Sequence, residues 1–489
     1  MMSDSKNHTA KRRTWLKTVG AAGTVGLAGC SGGGGGSSGD GGGSSGGNGG
    51  GSSGGGSSGG GSSDGTTTGS SGEWPDLSGK EVHFVTDEAS DTSKQFWNGV
   101  ASDFEEATGA STKMEYVGIG TGGIERITQL IQAGDPPEIF TMNASNASTF
   151  RSEGVLAPVD EAFDQFTEVT GQPEDQATVE VNGNQWFVPL WFNTVCYYYR
   201  SDLSDIVPDT WEKAQQYAQE VDEADNGVRG TYVPAGPGAH VCYRIMAWMY
   251  SNGGSFMQWN NDRIEVAYDS GENRTKLVEA LNYIKERQQY SPNASDSNYT
   301  TWTNAIPNEV AGSSAYVGFR PVVQSVANNR SFTDSVEVVP GMPSAPGGTN
   351  RSVAASDGMG TFKGADQEAA RAFINFTLQE EYLTQIYMML TPVHNVPAFP
   401  EFRSSSTYQD ALKGLEGYPM DAIKSYQEDV KFKTRPNDTD PPNPYAGASY
   451  NSPPFYNMQV DLLVKDRSPE AVIDEYAPQH QEVIDEAQG

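Results

Sequence analysis

The stretch WFVPLWFNTVCYYYR, Trp186 to Arg200, decides how the rest of the chain is interpreted. Seven of its fifteen residues are aromatic. Aromatic and β-branched residues favour a pleated strand, so the stretch predicts a strand that is broken or bent at Pro189. Asn193 is a lone polar group among more aromatic surface than a small core needs, a combination typical of a ligand cleft. The alternative is a buried core strand that ends at Asn193, and the stretch on its own favours this alternative.

The first thirty residues carry the features of an export signal. A charged segment, KRRTWLK from Lys11, precedes an apolar run that is well short of the ~20 residues needed to span a bilayer. This pattern predicts a signal peptide over residues 1–29. Arg12-Arg13 resembles a twin-arginine signal, and Leu27 to Cys30 resembles a lipobox, in which the cysteine becomes acylated. We therefore expect an exported lipoprotein that is anchored to the membrane through Cys30.

A long linker follows the predicted anchor. Residues 31–72 are almost entirely glycine, serine and threonine, so they cannot bury apolar surface and should form a flexible coil. The root-mean-square reach of such a coil is roughly 35 Å. Residues 73–489 are long enough for two or three domains with sizeable cores. The sequence thus predicts a globular body that is tethered clear of a membrane.

The charge of the chain excludes some partners. It contains 63 acidic and 32 basic residues, a formal net charge of −31, and the acids are spread along its length. Nucleic acid and anionic lipid surfaces need the opposite sign of charge. Dispersed acidity at this level resembles that of proteins from salt-loving organisms, in which salt screens the repulsion. We expect a halophilic source, an archaeon.

Cysteine and histidine usage gives no indication of a metal centre or cofactor. Five scattered histidines and the absence of CxxC or HExxH spacing argue against a metal site. If Cys30 is acylated, Cys196 and Cys242 are the two remaining cysteines. They could form a disulfide or stay as two buried free thiols, and we favour the free thiols. Tyr197 to Tyr199 alternate between the two faces of a strand, so they should not converge on iron, which stays a minor alternative.

The region before the aromatic stretch alternates strands and helices. Val82–Thr86 is a short apolar strand, and the helix after it aligns Phe96, Val100 and Phe104 on one face, ending near Gly109. A second helix and a strand at Glu138–Met142 follow. This alternation predicts a parallel sheet covered on both sides, with ligands beyond the carboxyl ends of its strands. The residues expected at that rim are Asp87, Glu88, Met142 and Asn143.

Several motifs in order resemble one known family. They include RITQLIQAGDPPEIF, GVLAPVDEAF at Gly154, WFVPLWFNTVCYYYR, PDTWEKAQQYAQEV at Pro208, MAWMYSNGGSF at Met246, VEVVPGMP, GADQEAARAFINFTLQEEYLTQIY and TPVHNVPAF at Thr391. Together these motifs resemble the family 1 extracellular solute-binding proteins, the capture subunits of ABC importers, which include the maltose- and oligosaccharide-binding proteins. Each motif is weak alone, but the set is specific and covers nearly all of residues 73–489.

This resemblance implies a type II periplasmic-binding-protein fold, in which two α/β lobes close on a ligand around a hinge. The chain would cross between lobes near Pro189–Asn193 and near Val339–Gly341. Lobe one would comprise residues 73–189 and 342–390. Lobe two would comprise residues 190–341 and 391–489. GADQEAARAFINFTLQEEYLTQIY would form one long helix after the second crossing.

The resemblance and the rim together nominate a set of ligand-binding residues. Sugars are held by aromatic rings on their faces and by polar or charged groups around their edges. The candidates are Asp87, Glu88, Asn143, Trp191, Asn193, Tyr243, Trp302, Phe319 and Arg320. Trp191 and Tyr243 could instead pack in a core, and Asn193 could be a structural cap. Trp302 lies in a loop, where no apolar helix face accounts for a tryptophan, and this favours a ligand-binding role for it.

Phe319-Arg320 departs from the pattern of the family, which usually has a flat ring at this point. A cation here would admit an acidic sugar or another carboxylate, although Arg320 could equally form an ion pair with a neighbouring acid. The sequence therefore supports a monomeric, non-enzymatic binding protein that presents a sugar or oligosaccharide to an ABC permease. The alternatives are a secreted glycosidase, a binding protein for a sugar acid, polyol or iron complex, and a surface scaffold or adhesin.

Overall fold

The computed structural model describes most of the predicted globular body. The described residues are 74–117, 121–235, 239–294, 302, 304–389, 393–428, 433–434, 439, 443, 445–446, 449 and 452–488. The predicted signal peptide, Cys30 and the linker lie outside these residues. The side chain of Cys242 is also outside the described part, so its pairing with Cys196 stays a prediction. Within the described residues, no helix has both the length and the apolar character that crossing a membrane requires.

The described strands fall into one large sheet and two small hairpins. They are β1 Glu81–Thr86, β2 Ser111–Tyr116, β3 Ile139–Asn143, β4 Leu156–Ala157, β5 Glu180–Val181, β6 Asn184–Gln185, β7 Val188–Arg200, β8 Met257–Asn260, β9 Arg263–Val266, β10 Ser313–Val317, β11 Val336–Val339, β12 Ser352–Phe362, β13 Val396–Pro397 and β14 Lys433–Thr434. The hairpins are β5–β6 and β8–β9.

Helices cover the sheet. They are α1 Asp91–Thr108, α2 Thr121–Ala133, α3 Ala144–Ser152, α4 Asp160–Thr170, α5 Trp211–Glu223, α6 Ala239–Ser251, α7 Gly271–Arg287, α8 Arg320–Ala327, α9 Gln367–Thr377, α10 Glu380–Met389, α11 Pro400–Arg403, α12 Ser406–Lys413, α13 Met420–Glu428, α14 Pro453–Leu463 and α15 Pro469–Gln488. Short 3₁₀ turns occupy Asp175–Ala177, Gln288–Tyr290 and Thr333–Ser335.

The predicted alternation at the start of the body is confirmed. β1 pairs in parallel with β2 and with β3, and α1 and α2 connect them. Phe96, Val100 and Phe104 are buried on one face of α1, which ends at Gly109 in a left-handed conformation with φ 73°. Glycine adopts this conformation without steric cost, so it terminates the helix where the sequence predicted.

The complete sheet is mixed, whereas the sequence predicted a parallel one. Its order is β10-β7-β12-β3-β1-β2, and β12 runs antiparallel to both β3 and β7. β12 lies far along the chain from β1–β3, and the local alternation of strands and helices carries no information about such a distant partner. The sheet therefore contains the predicted parallel part, formed by β1, β2 and β3, and an antiparallel part that begins at β12.

β7 pairs with four other strands and is continuous through Pro189. Its first half lies between β12 and β13, and its second half lies between β10 and β11. The pairing with β12 shifts by one residue, because Trp191 faces Asp357 whereas Pro189 faces Gly358. Such a bulge suits a residue that has no backbone N–H to donate to the ladder. The prediction of a bend at Pro189 is thus met by a bulge within a continuous strand.

Two hydrophobic cores meet along β7. Tyr197 and Tyr199 pack into one core with α5, α6, α7, α14 and α15, whereas Tyr198 packs into the other. The three tyrosines therefore alternate between the faces of the strand, as predicted, and do not converge. Their hydroxyls donate to Ser313 Oγ, the Gly318 carbonyl and Glu337 Oε2 at 2.7, 2.6 and 2.5 Å.

The predicted long helix after the second crossing is two helices. α9 ends at Thr377 and α10 begins at Glu380. The side chain of Asp366 caps α9 by accepting hydrogen bonds from the backbone N–H groups of Glu368 and Ala369. Both segments have strong helical propensity, so the sequence does not show the break between them.

Candidate functional site

Two acidic residues follow β1 at the carboxyl edge of the parallel part of the sheet. Asp87 and Glu88 come directly after Thr86, which is fully buried. The backbone N–H of Glu88 donates to Thr86 Oγ1 at 3.1 Å, and Thr141 Oγ1 on β3 lies 3.4 Å from Asp87 Oδ1. These contacts place both carboxyl groups at the rim, where the sequence predicted them.

A third carboxyl group joins them from β12. Asp357 is paired in register with Trp191 on one side and with Asn143 on the other. The side-chain amide of Asn193 donates to Asp357 Oδ2 across a diagonal pair of β7 and β12. Asp87, Glu88, Asp357 and Asn193 each keep some exposure to solvent, and the charges of the three acids affect one another, so the four residues form one polar cluster. We call these four residues the acidic recess.

Burial and mutual repulsion raise the pKa of each carboxyl group in the acidic recess. Protein atoms surround the carboxyl groups although each residue keeps some solvent contact, and the loss of hydration raises the pKa of Asp87. Burial first, and then the charges of Asp87 and Asp357, raise the pKa of Glu88 to about 8. Burial and the charge of Asp87 raise the pKa of Asp357 to about 7, although the hydrogen bond from Asn193 and the nearby indole of Trp191 oppose the rise.

Trp191 and Asn193 bring partly unused polar atoms to this recess. Trp191 is 1% exposed. Its indole Nε1 is buried without a hydrogen bond of good geometry, yet it lies near enough to Asp357 to lower the pKa of that carboxyl. The Oδ1 atom of Asn193 is also buried without a partner. A buried polar atom without a hydrogen-bond partner lowers the stability of the fold. A ligand that forms these hydrogen bonds would explain why the two atoms are unpaired here.

This arrangement can bind a molecule that both donates and accepts hydrogen bonds. Because burial and mutual repulsion raise the pKa of each carboxyl group, the recess favours a mixture of protonated carboxyls, which donate, and ionised carboxylates, which accept. The indole N–H of Trp191 adds a donor and Asn193 Oδ1 adds an acceptor. A hydroxyl-rich neutral molecule matches these groups, whereas an anion would be repelled by them.

Asn143 has a structural role in this structure. Its side-chain oxygen accepts a hydrogen bond of 2.8 Å from the backbone N–H of Asn146 and so caps α3. The residue stays partly exposed beside Asp357. Met142 points into the core and is 4% exposed, so it does not contribute to the rim as expected.

Tyr243 and Trp302 are buried away from solvent rather than in the acidic recess. Tyr243 is 5% exposed within the core formed on the Tyr197 face of β7. Trp302 is 2% exposed, and its Nε1 donates to Ser314 Oγ and the Ala315 carbonyl, each at 3.1 Å. The aromatic contacts and hydrogen bonds of Trp302 satisfy the side chain without a ligand. A ligand role for either residue stays a prediction.

Phe319 and Arg320 separate at the start of α8. Phe319 is fully buried and packs 5.0 Å from the Tyr426 ring. Arg320 is exposed at the first turn of α8, and in the described part of the chain it makes no ion pair. The structure does not bring either residue into contact with Asp87, Glu88 or Asp357.

Sequence reasoning missed Asp357. It lies in β12, a strand that is otherwise apolar or small, with the sequence SVAASDGMGTF. A single acidic residue in a buried strand is unusual, because burying a charge is costly. This feature of the sequence could have indicated that Asp357 is functional. The described residues contain no group of three or more histidine, cysteine or acidic side chains arranged to hold a metal ion.

Comparison with known families decides how this geometry is classified. Residues 88–383, well over half of the chain, match the model of the bacterial extracellular solute-binding protein family. The chain belongs to this family. A search of curated proteins found no matching sequence for this solute-binding protein.

Solved structures confirm the fold of the solute-binding protein. The GacH receptor of Streptomyces glaucescens GLA.O, solved unliganded and with acarbose, aligns with a TM-score of 0.66 at 17% identity, over 83% of this chain and 99% of that one. A solute-binding protein of Thermotoga lettingae TMO with α-D-tagatose gives 0.65 at 18% identity, over 83% and 100%. Maltose-bound MalE3 of T. maritima gives 0.66 at 15% identity, over 82% and 99%. These similarities establish the two-lobed α/β fold of periplasmic binding proteins.

Proposed function

We propose that this solute-binding protein captures a neutral, hydroxyl-rich solute, a sugar or oligosaccharide, in the acidic recess and delivers it to an ABC permease. The observation that carries this proposal is the convergence of three carboxyl groups with Asn193 beside the buried Trp191. Carboxyl groups are strong acceptors for sugar hydroxyls, and an indole offers an apolar face and one donor. The recess lies where β7 passes from one core to the other, which suits a site between two lobes.

The comparisons support a solute of this class. The structural relatives were solved with acarbose, α-D-tagatose and maltose, all of them rich in hydroxyl groups. A relative from Agrobacterium radiobacter K84 was solved with ribitol, so a polyol is a close alternative. The three acids disfavour a sugar acid, which the sequence left open through Arg320.

Export and anchoring complete the proposed role. A twin-arginine signal over residues 1–29, acylation of Cys30 and the linker to residue 72 would hold the binding protein at the outer face of the cell membrane. There it would act as a monomer that releases its solute to the transmembrane subunits. Lobe boundaries at residues 189/190, 341/342 and 390/391 belong to the same proposal.

Calorimetric titration of the full-length protein tests the proposal. We would add maltose, maltotriose, tagatose, ribitol, gluconate and ferric citrate separately in concentrated salt, with an Asp357→Asn variant beside the wild type. The proposal predicts saturable binding of one neutral sugar or polyol class that the variant weakens. Binding of only gluconate or ferric citrate would overturn it.

A glycosidase is the second candidate, because raised carboxyl pKa values also occur in glycosidases. The same oligosaccharides would be incubated with the protein and the reducing ends counted over time. Binding without turnover supports capture. Multiple turnovers that disappear in the Asp357→Asn and Glu88→Gln variants would instead assign an enzyme.

A further inference from the structure

Seven asparagines in the described part of the chain begin the sequence Asn-X-Ser/Thr, the sequon that accepts N-linked glycans in exported proteins. They are Asn143, Asn146, Asn273, Asn293, Asn329, Asn350 and Asn375. A twin-arginine signal directs the export of proteins that have already folded. Under the proposed export, on which this inference rests, a glycosylating enzyme outside the cell membrane meets the folded surface. The structure then decides which asparagine the enzyme can reach.

Three of the seven sequons lie within helices, where the acceptor geometry is unsuitable. They begin at Asn146 in α3, Asn273 in α7 and Asn375 in α9. Because a sequon is defined by two residues, the enzyme must contact the asparagine and the hydroxyl side chain two positions later together. Residues two positions apart in a helix do not face the same side. These three sequons are therefore closed to the enzyme in the folded protein.

Two further sequons are already used by the fold. The side chain of Asn143 caps α3, and that of Asn350 donates to a backbone carbonyl at 3.0 Å. Their serines, Ser145 and Ser352, are 6% and 0% exposed, so the enzyme cannot reach either hydroxyl. Asn293 is exposed, but the serine of its sequon lies outside the described residues.

The sequon Asn329-Arg330-Ser331 is open to solvent at both of the residues that define it. Asn329 and Ser331 are exposed, and neither side chain makes a hydrogen bond within the described residues. The tripeptide follows the end of α8 and precedes the 3₁₀ turn at Thr333–Ser335, outside any helix or strand. The amide nitrogen and the serine hydroxyl are therefore both accessible to an enzyme.

The backbone holds the turn at Asn329 without help from the asparagine side chain. Asn329 has a left-handed conformation with φ 51°, and the N–H groups of Asn329 and Arg330 donate to the carbonyls of Val326 and Ser325, each at 2.9 Å. Helices commonly end in this way, and asparagine is a common residue at this position. Helix termination thus accounts for Asn329, but it does not account for the exposed serine two residues later.

The open sequon lies away from the acidic recess. Glu309 forms an ion pair with Arg330 at 4.0 Å and with Arg200 at 3.6 Å, so the sequon is near the Arg200 end of β7. Arg200 is seven residues beyond Asn193, roughly 23 Å along an extended strand. A glycan attached at Asn329 would therefore leave the entry of solute unobstructed.

We propose that Asn329 is an N-glycosylation site of the exported protein. The donor is a lipid-linked sugar phosphate. The side-chain nitrogen of Asn329 forms a bond to C1 of the first sugar, and the bond between C1 and the phosphate oxygen breaks. The nitrogen loses one proton, and the lipid phosphate leaves with the electron pair of the broken bond. The product is a neutral amide, so the backbone hydrogen bonds of the turn are unchanged.

Mass spectrometry of the protein purified from the membranes of the cells that produce it naturally tests the proposal. The peptide that contains Asn329 should be heavier than its sequence mass by a whole number of sugar residues, and fragmentation should place the added mass on Asn329. Peptides that contain Asn350 and Asn375 should have their sequence masses. An unmodified Asn329 in protein that has lost residues 1–29 would overturn this inference and leave the export standing. Retention of residues 1–29 would overturn both.

Two substitutions at Ser331 form a matched pair, because both leave Asn329 and its turn in place. Ser331→Ala should lose the glycan mass completely. Ser331→Thr retains a hydroxyl at this position and should keep the glycan. A glycan that persists in Ser331→Ala, or one that is attached to another asparagine instead of Asn329, would overturn the proposal and leave Asn329 as the end of a helix.

Discussion

The proposed binding chemistry depends on the diagonal contact between Asn193 and Asp357. Asn193→Ala removes both the donor to Asp357 and the unpaired Oδ1, so we expect the solute Kd to rise about 10- to 150-fold, the cost of about 1.5–3 kcal/mol for hydrogen bonds to charged groups. Titration calorimetry with the best solute of the panel measures this change.

Asn98→Ala is the matched control for this substitution. Asn98 is exposed on α1, where its side chain accepts a hydrogen bond from the Tyr116 hydroxyl. The control should bind with wild-type affinity. Equal affinity of Asn193→Ala and wild type would show that the acidic recess does not contact the solute.

Glu88 should make the stability of the unliganded protein fall as the pH rises. Its pKa is about 8 in the folded protein against an ordinary value of 4.5. Between these values the folded state binds more protons than the unfolded state, so its stabilising contribution is complete below pH 4.5 and is lost as the pH approaches 8. The Tm of the wild type should therefore fall by several degrees relative to Glu88→Gln between pH 5 and 8.5.

The control for the pH profile is Glu106→Gln, because Glu106 is exposed on α1. Its Tm should follow that of the wild type across the same range. A constant Tm difference between wild type and Glu88→Gln at every pH would contradict the buried, protonated state of Glu88.

Individual residues of the site differed in how well the sequence predicted them. Asp87 and Glu88 could be placed, because they follow a short apolar strand and the carboxyl ends of parallel strands share an edge. Asp357 could not, since its position depends on β12 inserting between β3 and β7, a pairing between distant parts of the chain. Trp302 was expected at a ligand because it lies in a loop; its indole donates hydrogen bonds to β10 in the core, and a ligand role for it stays a prediction.

Among the elements, the junction of β7 and β12 imposes the tightest steric limit. A Cβ at Gly358 would lie 2.0 Å from the Val188 carbonyl oxygen and 2.8 Å from Pro189 Cα. Gly358→Ala must therefore separate the two strands at the bulge. We expect it to lower the free energy of unfolding by about 1–3 kcal/mol, the usual cost of overpacking. Chemical denaturation measures the change.

Gly99→Ala gives the opposite expectation and serves as the control. A Cβ at Gly99, which lies inside α1, meets no atom within 4 Å. Alanine should raise the free energy of unfolding by about 0.5–1 kcal/mol there, because it favours the helix. A Gly358→Ala protein as stable as the wild type would show that the bulge is not closely packed.

Sequence patterns predicted the elements well where the signal was local. The apolar face of α1 and its glycine stop are both present where the sequence predicted them. The effect of Pro189 on the strand pairing could be predicted only in part. Proline indicates an interruption, but whether the strand ends or bulges depends on β12, its distant partner.

At the scale of the whole molecule, the dominant electrostatic feature is the net charge of −31. Exposed ion pairs such as Arg263–Asp485 contribute little each, whereas the repulsion among dispersed acids acts everywhere. Salt screens this repulsion, so the Tm should rise between 0.1 and 1 M sodium chloride. Differential scanning calorimetry measures it, and a falling Tm would show that ion pairs outweigh repulsion.

The central claim is that a neutral, hydroxyl-rich solute binds in the acidic recess between two lobes. The most direct test is the crystal structure of the full-length protein with the tightest solute of the panel. We predict ligand density within hydrogen-bonding distance of Asp87, Glu88, Asp357 and Asn193, with the ligand beside Trp191. Density for the solute elsewhere, with the acidic recess occupied only by water, would contradict the account.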